Sequence, residues 1–441
     1  MVQHAADVLS GPGRLDQIDV QFNEPRLISD AGLLLTATLA DRLGLEGLVN
    51  GSVWLGYGTP GAALPGRKVM TLVHGMIAGA DCIDDMNVLR AGSTQAVLGH
   101  QVMAPSTLGT FLRAFSFGHV RQLDHVLDQA ISRAWQAGAG PGDGPLVIDL
   151  DSFVGEVYGY EKQGAGYGYT HRYGYHPLLA TRADTGEVLH IRFRKGSANT
   201  QRGIERFVDE LLARVRRAGH QGQVVLRADS GFENHKLMTS LAKRGMLFSI
   251  GAKQSKTARE LIAQIPETAW QRVSDYSERG EAQVAEVPYK NWRLIVRRTR
   301  LKDPEQLALW PDWRHHAFLT NQSSPVLDAD SDHRDHAQIE QVISDLKAQA
   351  LAHFPSGIFN ANSAWTVIAA LAHNLGRWTT LIGDPDASIQ TAASRRRQLF
   401  QIPGRIVSSA RRFTLRLPAR WPWQSTFLST LTRIRALPAP S

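Results

Sequence analysis

The chain is nearly without cysteine: Cys82 is the single one among 441 residues. One thiol excludes a disulfide scaffold and a zinc site built from several thiolates within the chain, and fits a reducing compartment. Long apolar runs are missing too. A membrane helix needs roughly 20 apolar residues in succession, and the longest candidates, AGLLLTATLA from Ala31 and WTVIAALAH from Trp365, fall far short. The opening MVQHAADVLSG has no basic stretch leading into an apolar one, so no signal peptide and no membrane partner are expected, and a cytoplasmic location is. Internal repeats and low-complexity tracts are absent as well. What is left, 43% hydrophobic and 20% charged residues, suits a folded globular chain of about two or three structural units.

One region has no acid at all. Residues 395 to 441 hold ten arginines, no lysine and no carboxylate, in a chain with 49 basic and 41 acidic residues and a net charge of +8. Removing those ten leaves 39 basic against 41 acidic residues over 1–394, so the excess positive charge belongs to the tail. Arginine interleaved with Phe400, Phe413, Trp421 and Trp423 suits a surface for a phosphate backbone, and a polyanion is the expected partner. Arg395, Arg396, Arg397, Arg411 and Arg412 are the candidate contacts. The alternative is an arm that packs back on the body, with arginine serving solubility.

Periodicity divides the rest. Segments such as LLLTATLADRLGL, VMTLVHGMIAGA and VRQLDHVLDQAISRAW repeat apolar positions every three or four residues, which predicts a helical unit over 1–140. Arg67, Lys68 and Arg113 are candidate phosphate contacts on it. AGAGPGDGP, from Ala137, reads as a linker. Strand patterns follow in LVIDLDSFVGEVYGY, YHPLLATRAD and EVLHIRFRKG, then helix, strand, helix and strand, predicting a mixed α/β sheet with flanking helices over 141–265. A β-rich insertion with Trp270, Trp292, Trp310 and Trp313 is expected over 266–325, a helical return over 326–382, and the basic tail over 383–441. Packing is the main role expected of the tryptophans, with base stacking the alternative.

Carboxylates stand at the strand ends. Alternation in LVIDLDSF puts Asp149 and Asp151 on one face of a strand otherwise fit for burial. Asp229 directly follows the apolar run VVLRA, where the strand ends of an α/β sheet open into a crevice. Such acids point to a divalent metal site, because a buried carboxylate without a cation or donor is costly. In HRDHAQIEQVISDLK, helical spacing places His333, His336, Glu340 and Lys347 near one face, an odd set for a core. A histidine-based metal site is not expected, since no H-E-x-x-H spacing occurs.

The ordered set VIDLDS, RADSGF and HRDHAQIEQVISDLK, with GYHPLLA, HFPSGIFNANSAWTVIAALAHNLGRW and the tail PGRIVSSARRFTLRLPARWPW, resembles the DDE transposases of bacterial insertion sequences. It is similar in particular to the insertion-sequence 1380 family, within the larger insertion-sequence 4-like group that shares a Tyr-Arg-Glu-Lys signature. The resemblance runs over essentially the whole chain. It implies an RNase H-like core interrupted by a β-rich insertion. It also implies two Mg²⁺ ions, with Mn²⁺ able to substitute, and double-stranded DNA as partner: terminal inverted repeats and target, cut and rejoined by a homodimer. Carried over residue by residue, the second acid is Asp229 and the third Glu340. The first is Asp151, with Asp149 the close second. His333 and His336 stand where the signature has Tyr and Arg, beside Arg334, and with Lys347 they are the candidate DNA contacts around the last acid. A nuclease of the same fold and a DNA-binding protein without catalysis are the competing readings.

Overall fold

The structure is a computed structural model and describes residues 15–168, 171–274, 276, 280–301, 313–410 and 412–439. Its centre is a nine-stranded mixed sheet. The strand β2 (Leu146–Ser152) lies inside it, because LVIDL is apolar enough to be covered on both faces. On one side β2 pairs antiparallel with β6 (Leu178–Arg182), which turns through Asp184–Gly186 into β7 (Val188–Arg192). On its other side it pairs in parallel with β8 (Val224–Ala228), and β8 with β9 (Leu247–Gly251). Parallel neighbours need crossovers. These are the amphipathic helices α8 (Ile204–Arg217) and α9 (His235–Lys243), the latter capped where the Asn234 side chain accepts from the Lys236 and Leu237 amides.

The segment expected as a β-rich insertion continues this sheet. After α10 (Lys256–Ala263), the strands β10 (Gln271–Arg272), β11 (Gly280–Tyr289), β12 (Trp292–Leu301) and β13 (Arg314–Thr320) form antiparallel ladders. β13 joins β9 through Phe318, Leu319 and Thr320. The tryptophans here are engaged within the protein. Trp270 and Trp313 both stack on the Arg298 guanidinium, 4.2 and 4.5 Å from the ring centres, and Trp292 meets Phe248 edge-on. Trp310 lies outside the described residues.

The helices preceding the sheet are α1 (Leu33–Arg42), α2 (Leu45–Ser52), α3 (Pro65–Ala78), α4 (Met86–Arg90), α5 (Thr94–Leu98), α6 (Pro105–Arg113) and α7 (Phe117–Ala134). They share one apolar cluster with the sheet, running from Leu33 to Ile434. The joining element is α13 (Phe359–Gly383), whose 25 residues are apolar nearly all round and buried, with Trp365 and Trp378 fully enclosed. It also closes a sheet edge, which would otherwise offer unpaired backbone groups. The Asn374 amide accepts from Val188 N and donates to Val188 O, both at 2.8 Å, as a neighbouring strand would. None of the described helices is long and apolar enough to cross a membrane.

The arginine-rich tail is folded onto the body. After α14 (Ala392–Arg395), the strand β14 (Gly404–Ser409) pairs with β1 (Leu27–Ile28) and with β15 (Arg412–Arg416), and α15 (Gln424–Ala436) packs on α13 and α1. Composition emphasised the ten arginines. The deciding residues are Leu399, Phe400, Ile402, Phe427, Leu431 and Ile434, which the tail buries and an extended DNA-bound arm would expose.

A fully buried carboxylate pins three of these elements. Glu187, at the start of β7, accepts from the Trp135 indole at 2.9 and 3.1 Å and from the Trp378 indole at 2.6 Å. Burial pushes its carboxyl up to about 7, against the two indoles and Arg182. The folded protein therefore keeps this proton up to about pH 7, while the unfolded chain releases it near its ordinary value. Stability from this group is fully present at low pH and is lost as pH rises through about 7. Thermal melts between pH 5 and 8 should show Glu187→Gln losing less midpoint temperature than wild type over that window; an identical slope in both would refute the assignment.

Candidate functional site

The sequence offered Asp149 and Asp151 as alternatives on one strand, and their surroundings differ. Asp149 is fully buried, and the β2–β8 register sets it directly opposite Arg227. The guanidinium grips both carboxylate oxygens, Nε to Oδ1 at 2.7 Å and Nη2 to Oδ2 at 3.0 Å, while Nη1 donates to the Asp332 carbonyl. His336 Nδ1 stands 3.0 Å from Oδ1. These partners occupy Asp149. A cation buried in the otherwise apolar strand VVLRA was the sequence signal for Arg227, and it was missed.

Asp151 sits two residues on, at the open end of β2, where its Oδ1 accepts from the Ser152 amide at 2.6 Å. Burial pushes its carboxyl up to about 6. The Ser152 amide and His336 act against this, and the negative charges of Asp229 and Glu340 add to it. Asp229 follows the last residue of β8, exposed, and caps the turn Ser230–Phe232 by accepting from Gly231 N at 3.0 Å. That turn lies tight against β9: a Cβ at Gly251 would come within 2.7 Å of Ser230 N. Glu340 is exposed in the first turn of α12 (Gln338–Lys347), a helix that packs against β2. Three acids from two strand ends and one helix thus share one end of the sheet.

The helix carrying Glu340 is interrupted. Residues Val326–Arg334 form α11, Asp335–Ala337 make one 3₁₀ turn, and α12 begins at Gln338. The side chains expected on one face therefore diverge. His333 turns inward, its Nδ1 2.7 Å from Ser249 Oγ and its ring stacked on Phe318 at 4.1 Å. Burial, reinforced by His336, Arg227 and Arg297, pushes its imidazole down to about 3, so it stands neutral. Arg334 lies 3.3 Å from Asp330, and Lys347 is exposed at the far end of α12.

Among the other expected phosphate contacts, Arg395 is only 3% exposed and donates to the Gln390 carbonyl at 2.7 Å. Arg396 reaches the Ile77 carbonyl and the Gln349 amide oxygen. Burial pushes the guanidinium of each below its ordinary value. Neither is presented to solvent as a phosphate-binding side chain would be. The reason is the fold of the tail, which lays this stretch over α3 and α12. Arg397 and Arg412 are exposed, and Arg411 lies outside the described residues. In the helical unit Lys68 is buried, with its ammonium on the Gly61 and Ala63 carbonyls, and Arg67 pairs with Glu46 at 3.0 Å.

Asp151, Asp229 and Glu340 supply only oxygen donors and repel one another, which suits hard divalent cations such as Mg²⁺ and not softer ions. Among the described residues they are not drawn within 4.8 Å of one another, so they do not close around a single ion. A tighter trio, Asp124, His190 and Glu210, is taken by arginines: Arg214 donates to Asp124 at 2.8 Å, and Arg121, Arg192 and Arg206 all reach Glu210.

No curated protein matches the chain. Among solved structures it is similar to the cryo-EM structure of the piggyBac transposase synaptic complex with hairpin DNA, at 12% identity and a TM-score of 0.46, over 94% of this chain and 84% of that one. The family model described as transposase DDE domain group 1 matches residues 11–439. The chain is a member of that DDE transposase family.

Proposed function

We propose that this protein is a DNA transposase of a bacterial insertion sequence, of the insertion-sequence 1380 family. In this reading it binds the terminal inverted repeats, cuts the DNA ends and joins them to target DNA. The convergence of Asp151, Asp229 and Glu340 at one end of the sheet carries the reading, with the elevated Asp151 carboxyl as its electrostatic mark. The strand order β7-β6-β2-β8-β9, with β6 antiparallel to its neighbours, supports an RNase H-like core.

Asp151, Asp229 and Glu340 would hold the divalent ions, two Mg²⁺ with Mn²⁺ substituting, which when bound stabilise the attacking and leaving oxygens of an in-line displacement. The protein's own groups set that geometry. Arg227 and His336 fix Asp149 and with it the backbone of β2 two residues before Asp151. The 2.6 Å bond from Ser152 N orients the Asp151 carboxylate. The Gly231 amide orients that of Asp229. Exposed Lys347, Arg397 and Arg412 are the cations in this set free to meet phosphate as point charges or forks. Transposition joins two ends, so a homodimer on DNA is part of the proposal, as is a cytoplasmic location.

The test is incubation with a DNA fragment ending in the element's own inverted repeat and Mg²⁺ or Mn²⁺, with nicks mapped at the end. Binding without cutting under either metal would favour a DNA-binding protein without catalysis. Cutting without strand joining would favour a nuclease. For the tail, removing one cation that neutralises a phosphate should reduce the slope of log affinity against log salt by about 0.9. Arg397→Ala with Arg412→Ala should therefore flatten the slope by roughly two, while Arg395→Ala leaves it unchanged. A flattening by Arg395→Ala would show that the tail lifts off the body to bind.

A further inference from the structure

Between β2 and β6 the chain leaves the sheet for 25 residues, 153–177, at the same end that carries the acids. This excursion folds into a small separate sheet of β3 (Gly155–Glu156), β5 (Tyr173–Tyr175) and β4 (Gly166–Tyr167), with β5 in the middle. Its back is anchored. Tyr175 is buried among Phe193, Phe354 and Phe359, the Lys162 ammonium donates to the Phe354 carbonyl at 2.5 Å, and Gln163 N donates to Gly357 O at 2.9 Å.

Its outer side carries exposed rings. Tyr158, Tyr160 and Tyr167 are 88%, 77% and 57% exposed. Tyr160 and Tyr167 both set their rings against Tyr173, at 5.1 and 5.2 Å, and the Tyr173 hydroxyl donates to the Tyr160 carbonyl at 3.0 Å. Tyr160, Tyr167 and Tyr173 thus form a ring cluster facing water, with Tyr158 exposed two residues before Tyr160. Rings gathered together on a surface suit a partner that can cover them.

Two connections tie this surface to the acids. β3 begins four positions after Asp151. The loop after β7 also crosses from the small sheet to Asp229. Lys195 bridges Tyr175, Gly196 N donates to Gly164 O at 3.0 Å, and a Cβ on Gly196 would strike the backbone oxygens of Gly174 and Gly166. Farther along, Thr200 lies beside the Asp229 turn, within 3.4 Å of a Cβ built on Gly231, and Gln201 donates to Glu233 O at 2.8 Å. At its rim Lys195 is exposed, and Arg172 pairs with Glu156.

We propose that this tyrosine face is a stacking platform for the unpaired bases of the DNA end beside the bond being cut. The proposal rests on the transposase reading above and names where the displaced bases of its substrate go. Rings offer a π-face that any base can use, and the exposed Lys195 ammonium stands near for the backbone of the same strand. A duplex stacks its own bases internally, so the platform acts on frayed or single-stranded ends.

The test uses the full chain and two probes, a single strand of about 12 nucleotides carrying 2-aminopurine and a blunt duplex of the same sequence. Wild type should quench the 2-aminopurine on binding. Tyr158→Ala, Tyr160→Ala and Tyr167→Ala together should abolish the quench and weaken single-strand affinity by about fivefold or more, with duplex affinity within about twofold. The matching Phe variants, which keep the rings, should behave as wild type. The proposal falls if wild type gives no quench, if the Ala variant binds the single strand as wild type does, or if both probes weaken equally. An unaffected single strand is also the result for a face that docks a protein. A variant without the quench that still nicks a pre-frayed end leaves the catalytic reading standing. A wild type that quenches but never cuts overturns the catalytic reading alone.

Discussion

Asp229→Ala and Glu340→Ala are each expected to reduce cleavage at the inverted-repeat end by about 10³-fold or more, with end binding retained. The size follows from the charge removed. In an in-line displacement at phosphorus the ions between the carboxylates contribute several kcal/mol of transition-state stabilisation, and each tenfold in rate is about 1.4 kcal/mol. Both residues are exposed and neither supports the core, so folding should be unaffected. The decisive result is a split between binding and cutting in the same preparation. Normal cleavage by either variant would remove that acid from the site. Loss of binding alongside cleavage would assign it to DNA contact instead.

Asp149→Ala and Asp151→Ala should separate on stability. Removing Asp149 leaves the Arg227 guanidinium buried without its counter-ion, and breaking a buried ion pair from one side costs about 3–5 kcal/mol. Urea unfolding should show a large loss for Asp149→Ala and none for Asp151→Ala at pH 8. The Asp151 carboxyl is raised to about 6, so the folded state holds its proton more tightly than the unfolded chain does. Stability is therefore lost as pH rises from about 4 to 6, by up to about 3 kcal/mol, and the loss is complete above that range. Asp151→Asn should flatten this pH dependence. Mg²⁺ added at pH 8 should raise the melting midpoint of wild type and not of Asp151→Asn. A large destabilisation by Asp151→Ala would overturn its assignment to the metal site.

The family was legible in the sequence because its motifs are short, ordered and local: VIDLDS, RADSGF and HRDHAQIEQVISDLK keep their sequence order, and the family match runs from 11 to 439. The mixed sheet with flanking helices was legible for a similar reason, since the apolar period changes across residues 137–145. The distinct surroundings of Asp149 and Asp151 were not. Alternation puts both on one face, and only the cross-strand register, which brings Arg227 opposite Asp149, gives them different partners. Helical spacing also overlooked the 3₁₀ turn at Asp335–Ala337, which sends His333 into the core beside Phe318.

Composition alone fixed the charge of the tail: ten arginines without an acid. Tertiary structure decided what that charge can reach. Arg395 and Arg396 are drawn in because their neighbours Leu399, Phe400 and Ile402 bury apolar surface against the body, while Arg397 and Arg412 stay in water. A residue's charge belongs to its side chain and can be counted along the chain. Its availability depends on which distant residues pack over it, and that is settled only when the chain has folded.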